Sequence, residues 1–403
     1  MTVPTALDQL PVIDLFDGEY RADPVAALRA TRAGGHWLAS IGIGYAVFDY
    51  EVVHALVRDP RLRAPGTDLL VMQGVTEGFV FDSFGRSILN IEGDDHHRLR
   101  RLVQKAFVPR AIEDLRPHMR EVAATLADGI AERGECEFVA DFSTPYPTHV
   151  ICTLLGIADE ERERLQAWSV GEGKIFNLNL AEDYDEIEAA LRSVYGLIDD
   201  LVVARRERPT DDLVSALIAA EDEGDRLDHD ELIEMIHTLL FAGFDTTRNQ
   251  LANGMTLFAE HPEQWERLRH APKLAPGAVE EMLRLRPTTN GVPRMTTEAI
   301  EVRDVTLPAG TLLFLSAAGA NTDPTVHANP EEFDIGREQL APVQTFGGGI
   351  HHCLGAALAR TEMIEALPIL AERIPAFEVT EPLTWKPPVG IYGPERLPLR
   401  LTV

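Results

Sequence analysis

Cysteine is scarce in this 403-residue chain: Cys136, Cys152 and Cys353 are its only three, and no CxxC pair occurs. A disulfide framework is excluded, and so is covalent haem attachment, which needs CxxCH. Basic residues are also few, 37 Lys and Arg against 65 Asp and Glu, a formal net charge of −28. Nucleic acid is therefore no expected partner, because a phosphate-tracking surface needs clustered cations. The N-terminus, MTVPTALDQLPVIDLFDGEY, has neither a basic start nor a continuous apolar run. It reads as neither signal peptide nor membrane anchor, and the scarcity of cysteine suits a reducing compartment, so a cytoplasmic location is expected. Repeats and Pro-rich linkers are lacking too. One domain spanning residues 1–403 is the simplest organisation, with residues 1–20 as an extended arm.

What is present is a hydrophobic content of 45%, enough for a large core, arranged mostly with helical spacing from about residue 94 to 285. Leu115, Met119, Val122, Leu126 and Ile130 illustrate the period. Strand character is confined to short runs, Gly44–Phe48 and Glu301–Ser316, the latter broken by a Pro-Ala-Gly turn. The C-terminal stretch is too rich in Pro and Gly for a helix and predicts loops with short strands that return toward a pocket. The fold class is mainly α with a minor β-sheet. The longest helix is predicted from about Asp230 to Glu260, capped by Asp228 with Glu231 and stopped at His261-Pro262. Its middle is apolar yet carries Gly243, Asp245, Thr246 and Thr247, and buried polar groups need a partner or a function.

Residues 345–360 read TFGGGIHHCLGAALAR. Three consecutive glycines allow a tight fold or close approach to a flat ligand, and AALARTEMIEALPIL is an amphipathic helix. Cys353 thus lies just before a helix N-terminus, where free N–H groups and the dipole favour a thiolate. Zinc is disfavoured, since His351 and His352 are adjacent rather than at ligand spacing. Glu281 and Arg284 lie three apart on one helical face, as do His96 and Arg100 four apart.

Phe346, Gly349, Cys353 and Gly355 match every fixed position of F-x-x-G-x-x-x-C-x-G, and the chain resembles the cytochrome P450 family from about residue 20 to 400. The resemblance implies a triangular helical domain with a minor sheet, haem b between the long helix and the cysteine loop, and Cys353 as the iron ligand. Ala242, Gly243, Asp245 and Thr246 match the family's A/G-G-x-D/E-T. They imply a Thr246 hydroxyl bonded to the carbonyl four residues back, with Gly243 easing the distortion and opening a groove for oxygen and water. Thr246 would order the water that delivers protons to dioxygen, and Asp245 would relay them. His96, Arg100, Arg294 and His351 match propionate partners. Glu281, Arg284 and Arg337 match a buried network behind the haem.

By order along the chain, the family's pocket segments contain Val71, Met72, Val75, Phe79, Phe81, Phe176, Leu239, Thr289, Val292 and Ile391. A hydrophobic organic substrate follows, with Asn177, Asn179 and Asn290 as candidates to hold a substrate oxygen. Arg98, Arg101 and Lys105 lie within about 60° on the helix face opposite His96, a basic patch for an acidic iron–sulfur ferredoxin served by an NAD(P)H-dependent reductase. The expected reaction is insertion of one oxygen atom from dioxygen, typically at a C–H bond. A peroxide-driven peroxygenase is the alternative within catalysis, and a haem sensor or carrier the alternative outside it. The Asp245-Thr246 pair favours dioxygen activation.

Overall fold

A computed structural model describes residues 7–15, 17–18, 20, 23–158, 161–162, 173–176, 180–222, 227–338 and 341–402. The helices that build the site are α1 (Phe79–Arg86), α2 (Gly93–Val103), α3 (Pro109–Arg133), α4 (Pro145–Leu155), α5 (Leu180–Glu207), α6 (His229–Glu260), α7 (Ala275–Leu285) and α8 (Ala356–Arg373). Helix α6 begins where the sequence placed its capping box. Asp228 accepts from the Glu231 amide at 2.8 Å, and the Glu231 carboxylate takes the Asp228 amide at 3.0 Å. Two of the first-turn donors that a helix leaves unpaired are thereby satisfied. At 1.5 Å per residue the helix is about 48 Å long.

Its apolar residues run all the way round because α4, α5 and α7 pack against it on different sides. The largest core lies between α3, α7, α8 and the second half of α6, through Met119, Ile130, Met255, Met282, Leu367 and Leu370. Each large apolar side chain buried there contributes about 1.5–3 kcal/mol.

A five-stranded mixed sheet has the order β1 (Leu38–Ser40), β2 (Tyr45–Val47), β8 (Leu312–Ser316), β5 (Gly291–Thr296), β3 (Leu62–Arg63). The β2–β8 pair is parallel with Tyr45 opposite Leu313, and β5 runs antiparallel to β8 with Arg294 opposite the same Leu313. Arg294 is thus carried on the strand next to the sheet's long-range crossover. Before β1, the Ile13 amide donates to the Ser40 carbonyl at 2.8 Å, which lays that part of the N-terminal segment along the sheet edge. The strands β4 (Glu135–Glu137), β9 (Ala376–Val379) and β10 (Pro398–Thr402) form a second sheet, and β6 (Ile300–Val302) pairs with β7 (Val305–Leu307). The fold is predominantly helical with a small β region. Among the described residues no helix is long and apolar enough to cross a membrane.

Candidate haem pocket and oxygen-side helix

The cysteine loop closes on itself: the Cys353 amide donates to the Phe346 carbonyl at 3.0 Å, and the Arg360 guanidinium lies 4.4 Å from the Phe346 ring centroid. Gly349 has φ +67°, and a Cβ there would stand 2.8 Å from the Val57 carbonyl oxygen, so both conformation and space demand glycine. Gly355 differs. Its φ is −84°, and nothing lies within 4 Å of where a Cβ would stand. The polypeptide gives no reason for glycine at this position, whereas a flat group lying against the start of α8 would.

Cys353 is exposed although dense protein surrounds it, the mark of a cavity wall. Burial pushes its thiol up, against the downward pull of the Gly355 amide, Arg100 and Arg360. This corrects the expectation from helix position alone: the dipole and its amides do not outweigh desolvation. A metal cation on the sulfur reverses that balance.

Four further side chains converge near this loop from three elements. His96 and Arg100 lie on α2, Arg294 on β5 and His351 in the loop. The His96 and His351 rings are 4.6 Å apart, and Arg100 Nη2 donates to the His352 carbonyl at 2.6 Å. Burial, with added repulsion from His351 and Arg100, pushes the His96 pKa down to about 4. Burial also lowers His351, against the opposing effect of Glu92. Arg294 is 7% exposed, and its Nη1 donates to the preceding Pro293 carbonyl at 2.8 Å. His96 Nδ1 is buried without a hydrogen-bond partner among the described residues. Glu92, which sequence reasoning missed, is the counter-charge here. It accepts from the Ala64 amide at 2.6 Å and meets His351 Nε2 at 2.9 Å. Two guanidiniums and two imidazoles beside one carboxylate, with a buried donor unspent, fit a group that carries anionic arms. The donor chemistry suits the propionates of haem.

On α6, every residue from Leu232 to Phe258 is buried except Ala242, Gly243 and Thr246. These three share one face by the i, i+1, i+4 spacing. Thr246 Oγ1 donates to the Ala242 carbonyl at 2.9 Å, as the motif predicts. The helix nevertheless runs unbroken through this point, and a Cβ on Gly243 would stand 2.5 Å from Ile151 Cδ1. Gly243 is therefore required for the close approach of α4, and its expected role in easing a distortion is not what the packing shows.

Asp245 is 1% exposed and paired with Arg248 one turn on. Asn249 Nδ2 donates to the Asp245 carbonyl at 2.7 Å, and Asn249 Oδ1 accepts from Lys386 Nζ at 2.9 Å. Burial, together with Arg248, pulls Lys386 down to about 8, while Asp245 and Glu395 pull the other way. The sequence reading missed Arg248, Asn249 and Lys386. Arg248 could have been found from its i, i+3 spacing to Asp245, but no local signal identifies Lys386, which the C-terminal loop brings in.

Glu281 and Arg284 are fully buried and bidentate, at 2.7 and 2.9 Å, and Arg337 Nε comes within 3.1 Å of Glu281. The predicted trio meets.

The pocket candidates divide. Phe176 lines a cavity together with Phe84 and Phe241, and Ile391 packs on the α4–α6 cluster. Val75, Phe79 and Phe81 are half-buried against Leu70, Val80 and Phe84, and Phe79 is sandwiched by Tyr195 and Arg192. Val292 packs on the sheet cluster, and Thr289 bridges to Ile391. Val71 and Met72 are about half exposed, at 47% and 50%, because their short helix turns that side to solvent. Leu239 points into the core instead. Asn290 spends its amide on the Pro388 carbonyl at 3.1 Å, holding the C-terminal loop in place. Asn177 and Asn179 lie outside the described residues. Arg98 does not belong to a free basic face: it pairs with Glu231 at 2.5 Å, tying α2 to the cap of α6. Arg101 and Lys105 stay exposed.

A helical fold with a cysteine at a cavity wall, a ring of cations and a threonine-marked helix face defines a haem-thiolate protein. The comparisons agree: the family model described as Cytochrome P450 matches residues 72–388, and the chain belongs to that family, a haem-binding monooxygenase fold. It is 37% identical to luteothin monooxygenase of Streptomyces thioluteus over 97% of this chain and 96% of that one. It is 39% identical to the mycinamicin IV hydroxylase/epoxidase of Micromonospora griseorubida, covering 94% and 92%. The crystal structure of CalO2 superposes with a TM-score of 0.90 at 27% identity, covering 98% and 99%.

Proposed function

We propose that this chain activates dioxygen and inserts one oxygen atom into a hydrophobic organic molecule, typically at a C–H bond. Electrons would come from NAD(P)H through a flavin reductase and an iron–sulfur ferredoxin, in the cytoplasm. Haem b, when bound, supplies the electron-accepting and oxygen-activating chemistry. Cys353 would supply the thiolate that holds its iron, and His96, Arg100, Arg294 and His351 would hold its propionates. Phe346, Gly349 and Gly355 would shape the loop that carries Cys353, while Glu281, Arg284 and Arg337 would brace the surrounding protein.

The observation that carries this reading is the accessible strip of Ala242, Gly243 and Thr246 on an otherwise buried helix. There the bond to the Ala242 carbonyl fixes the Thr246 hydroxyl on the partly accessible face, with Oγ1 still able to accept from a water. Asp245, paired to Arg248 and adjoining the Asn249–Lys386 contact, links that point to the C-terminal loop and can pass a proton toward it. Apolar walls that include Phe176 and Ile391 exclude bulk water. Arg101 and Lys105 remain the exposed cations for a ferredoxin to approach, and salt would weaken such steering.

The test is a carbon monoxide difference spectrum of the reduced protein. A red-shifted Soret band of thiolate ligation is expected, lost in Cys353→Ser and kept in Cys136→Ser and Cys152→Ser. A histidine-type band in the wild type would overturn the assignment of Cys353. Product formed with peroxide but never with dioxygen, reductase and ferredoxin would overturn dioxygen activation.

A further inference from the structure

The first two turns of α6 carry a second buried carboxylate that the oxygen-side chemistry does not use. Glu234 is 3% exposed. Its oxygens accept from Ser83 Oγ at 3.1 Å, from Thr238 Oγ1 at 2.9 Å and from the Tyr195 hydroxyl, and His237 Nδ1 lies at 3.3 Å. Among the described residues neither lysine nor arginine pairs with it. This sets it apart from the other buried carboxylates of the site, since Glu281 and Asp245 each face a guanidinium. Three hydroxyls and one imidazole surround the carboxylate among the described residues, and His237 can bring a positive charge only when protonated.

Glu234 also lines a cavity of about 30 Å³, room for a small polar head group rather than a whole substrate. Phe84, Phe176 and Phe241 supply aromatic walls beside the polar Asn90 and Thr238. Phe84 and Phe176 have centroids 6.3 Å apart, and Phe176 stacks on Phe241 at 5.6 Å. A carboxylate and aromatic rings lining one cavity form an environment that attracts an organic ammonium, through charge and through the ring quadrupoles. An anionic head group would be repelled, and a neutral alcohol would gain only an exchange of hydrogen bonds.

We propose that this cage is a recognition subsite for a protonated amine on the substrate. The inference rests on the monooxygenase reading, because it makes the cage part of the pocket. Thr238 lies one turn before Ala242, about 6 Å along the helix and about 40° around it, and Glu234 two turns before, about 12 Å. An amine seated at Glu234 lets the apolar body run along α6 toward the accessible strip. The substrate is then an extended hydrophobic amine, held by its nitrogen end and oxidised far from it.

Calorimetric titration of the holoprotein at pH 7 with three probes of one apolar body tests this: N,N-dimethyl-4-phenylbutylamine, 4-phenylbutan-1-ol and 4-phenylbutanoate. The ammonium is expected to bind about tenfold or more tighter than the other two. Glu234→Gln should erase that preference while changing the alcohol's affinity by less than about twofold. Phe176→Leu, at a half-buried position that tolerates the change, should weaken the amine about threefold relative to the alcohol even if Glu234→Gln fails to fold. Equal binding of the three probes by the wild type overturns the proposal and points to His237 as the counter-charge. A preference that survives both substitutions also overturns it, since the nitrogen then binds elsewhere, including at iron. Heat reports the preference whether or not the thiolate band appears, and the carbon monoxide spectrum of the same sample reports separately whether the monooxygenase reading stands.

Discussion

Glu281–Arg284 and Asp245–Arg248 are the same motif in sequence, an acid and an arginine three apart in a buried helix, yet the protein uses them in opposite ways. Arg284 gives two donors to Glu281 and the rest to the carbonyls of Asn321, Pro330 and Glu332, while Arg337 brings a second cation to the acid. Desolvation would raise Glu281, but the Arg284 hydrogen bonds, the charges of Arg284 and Arg337 and the Asp334 amide together outweigh it and hold the carboxyl below its ordinary range. Such a pair ties α7 to three loop carbonyls and has no proton to give. Arg248 is satisfied less completely: its Nε lacks a hydrogen-bond partner among the described residues. Beside Asp245 stands Lys386, an ammonium already pulled down to about 8. The five donors of Arg284 are all spent inside one rigid network, whereas the Asp245–Arg248 pair stands beside a cation that burial has made labile.

The largest effect should fall on the Glu281–Arg284 network. Glu281→Gln leaves the Arg284 charge buried without its carboxylate and should remove about 3–5 kcal/mol from urea unfolding. A loss under about 1 kcal/mol would place the pair among exposed ones and dissolve the contrast. Asp245→Asn should leave the stability within about 2 kcal/mol, because Lys386 can release its proton to offset the lost negative charge. Product formation should nevertheless fall about a hundredfold. Stability losses of equal size at Glu281 and Asp245 would break the comparison.

Thr246→Ala removes one back-bonded hydroxyl and should shift stability by no more than about 0.5 kcal/mol. Consumption of NAD(P)H should continue while product gives way to peroxide. Unchanged coupling would take Thr246 out of proton delivery.

The last effect, on the pH dependence of stability, concerns Lys386. Its folded pKa lies below the unfolded value of 10.5, so folding disfavours the ammonium. The unfolded chain binds more protons between about pH 8 and 10.5, and stability from this group rises with pH across that window. Lys386→Met should therefore be more stable than wild type near pH 7, with the advantage shrinking as the pH approaches 10. A difference in melting temperature that stays constant with pH would show that Lys386 titrates normally.

Much of this was legible beforehand wherever the chemistry is local. The capping box of α6, the loop before α8 and the Thr246–Ala242 bond each involve residues within a few positions of one another, and motif spacing maps directly onto helix geometry. The pocket was less legible. Val71 and Met72 are apolar and in the right segment, but the orientation of one short turn sends them to solvent. Arg98 belonged to a basic stripe by helical angle, and only the arrival of α6 turned it into a partner of Glu231. Glu234 sits in an apolar run where nothing local marks it, since its meaning comes from Ser83 and Tyr195 on other helices.

By itself, then, the sequence determined the helical class, the cysteine loop, the long capped helix and the threonine on its face, because each depends on contacts within about one turn of chain. Tertiary structure alone decided which carboxylate faces a guanidinium, which faces a lysine and which faces only hydroxyls and a histidine. Electrostatic character inside a protein is set by the neighbours that exclude or replace water, and those neighbours come from parts of the chain up to hundreds of residues away.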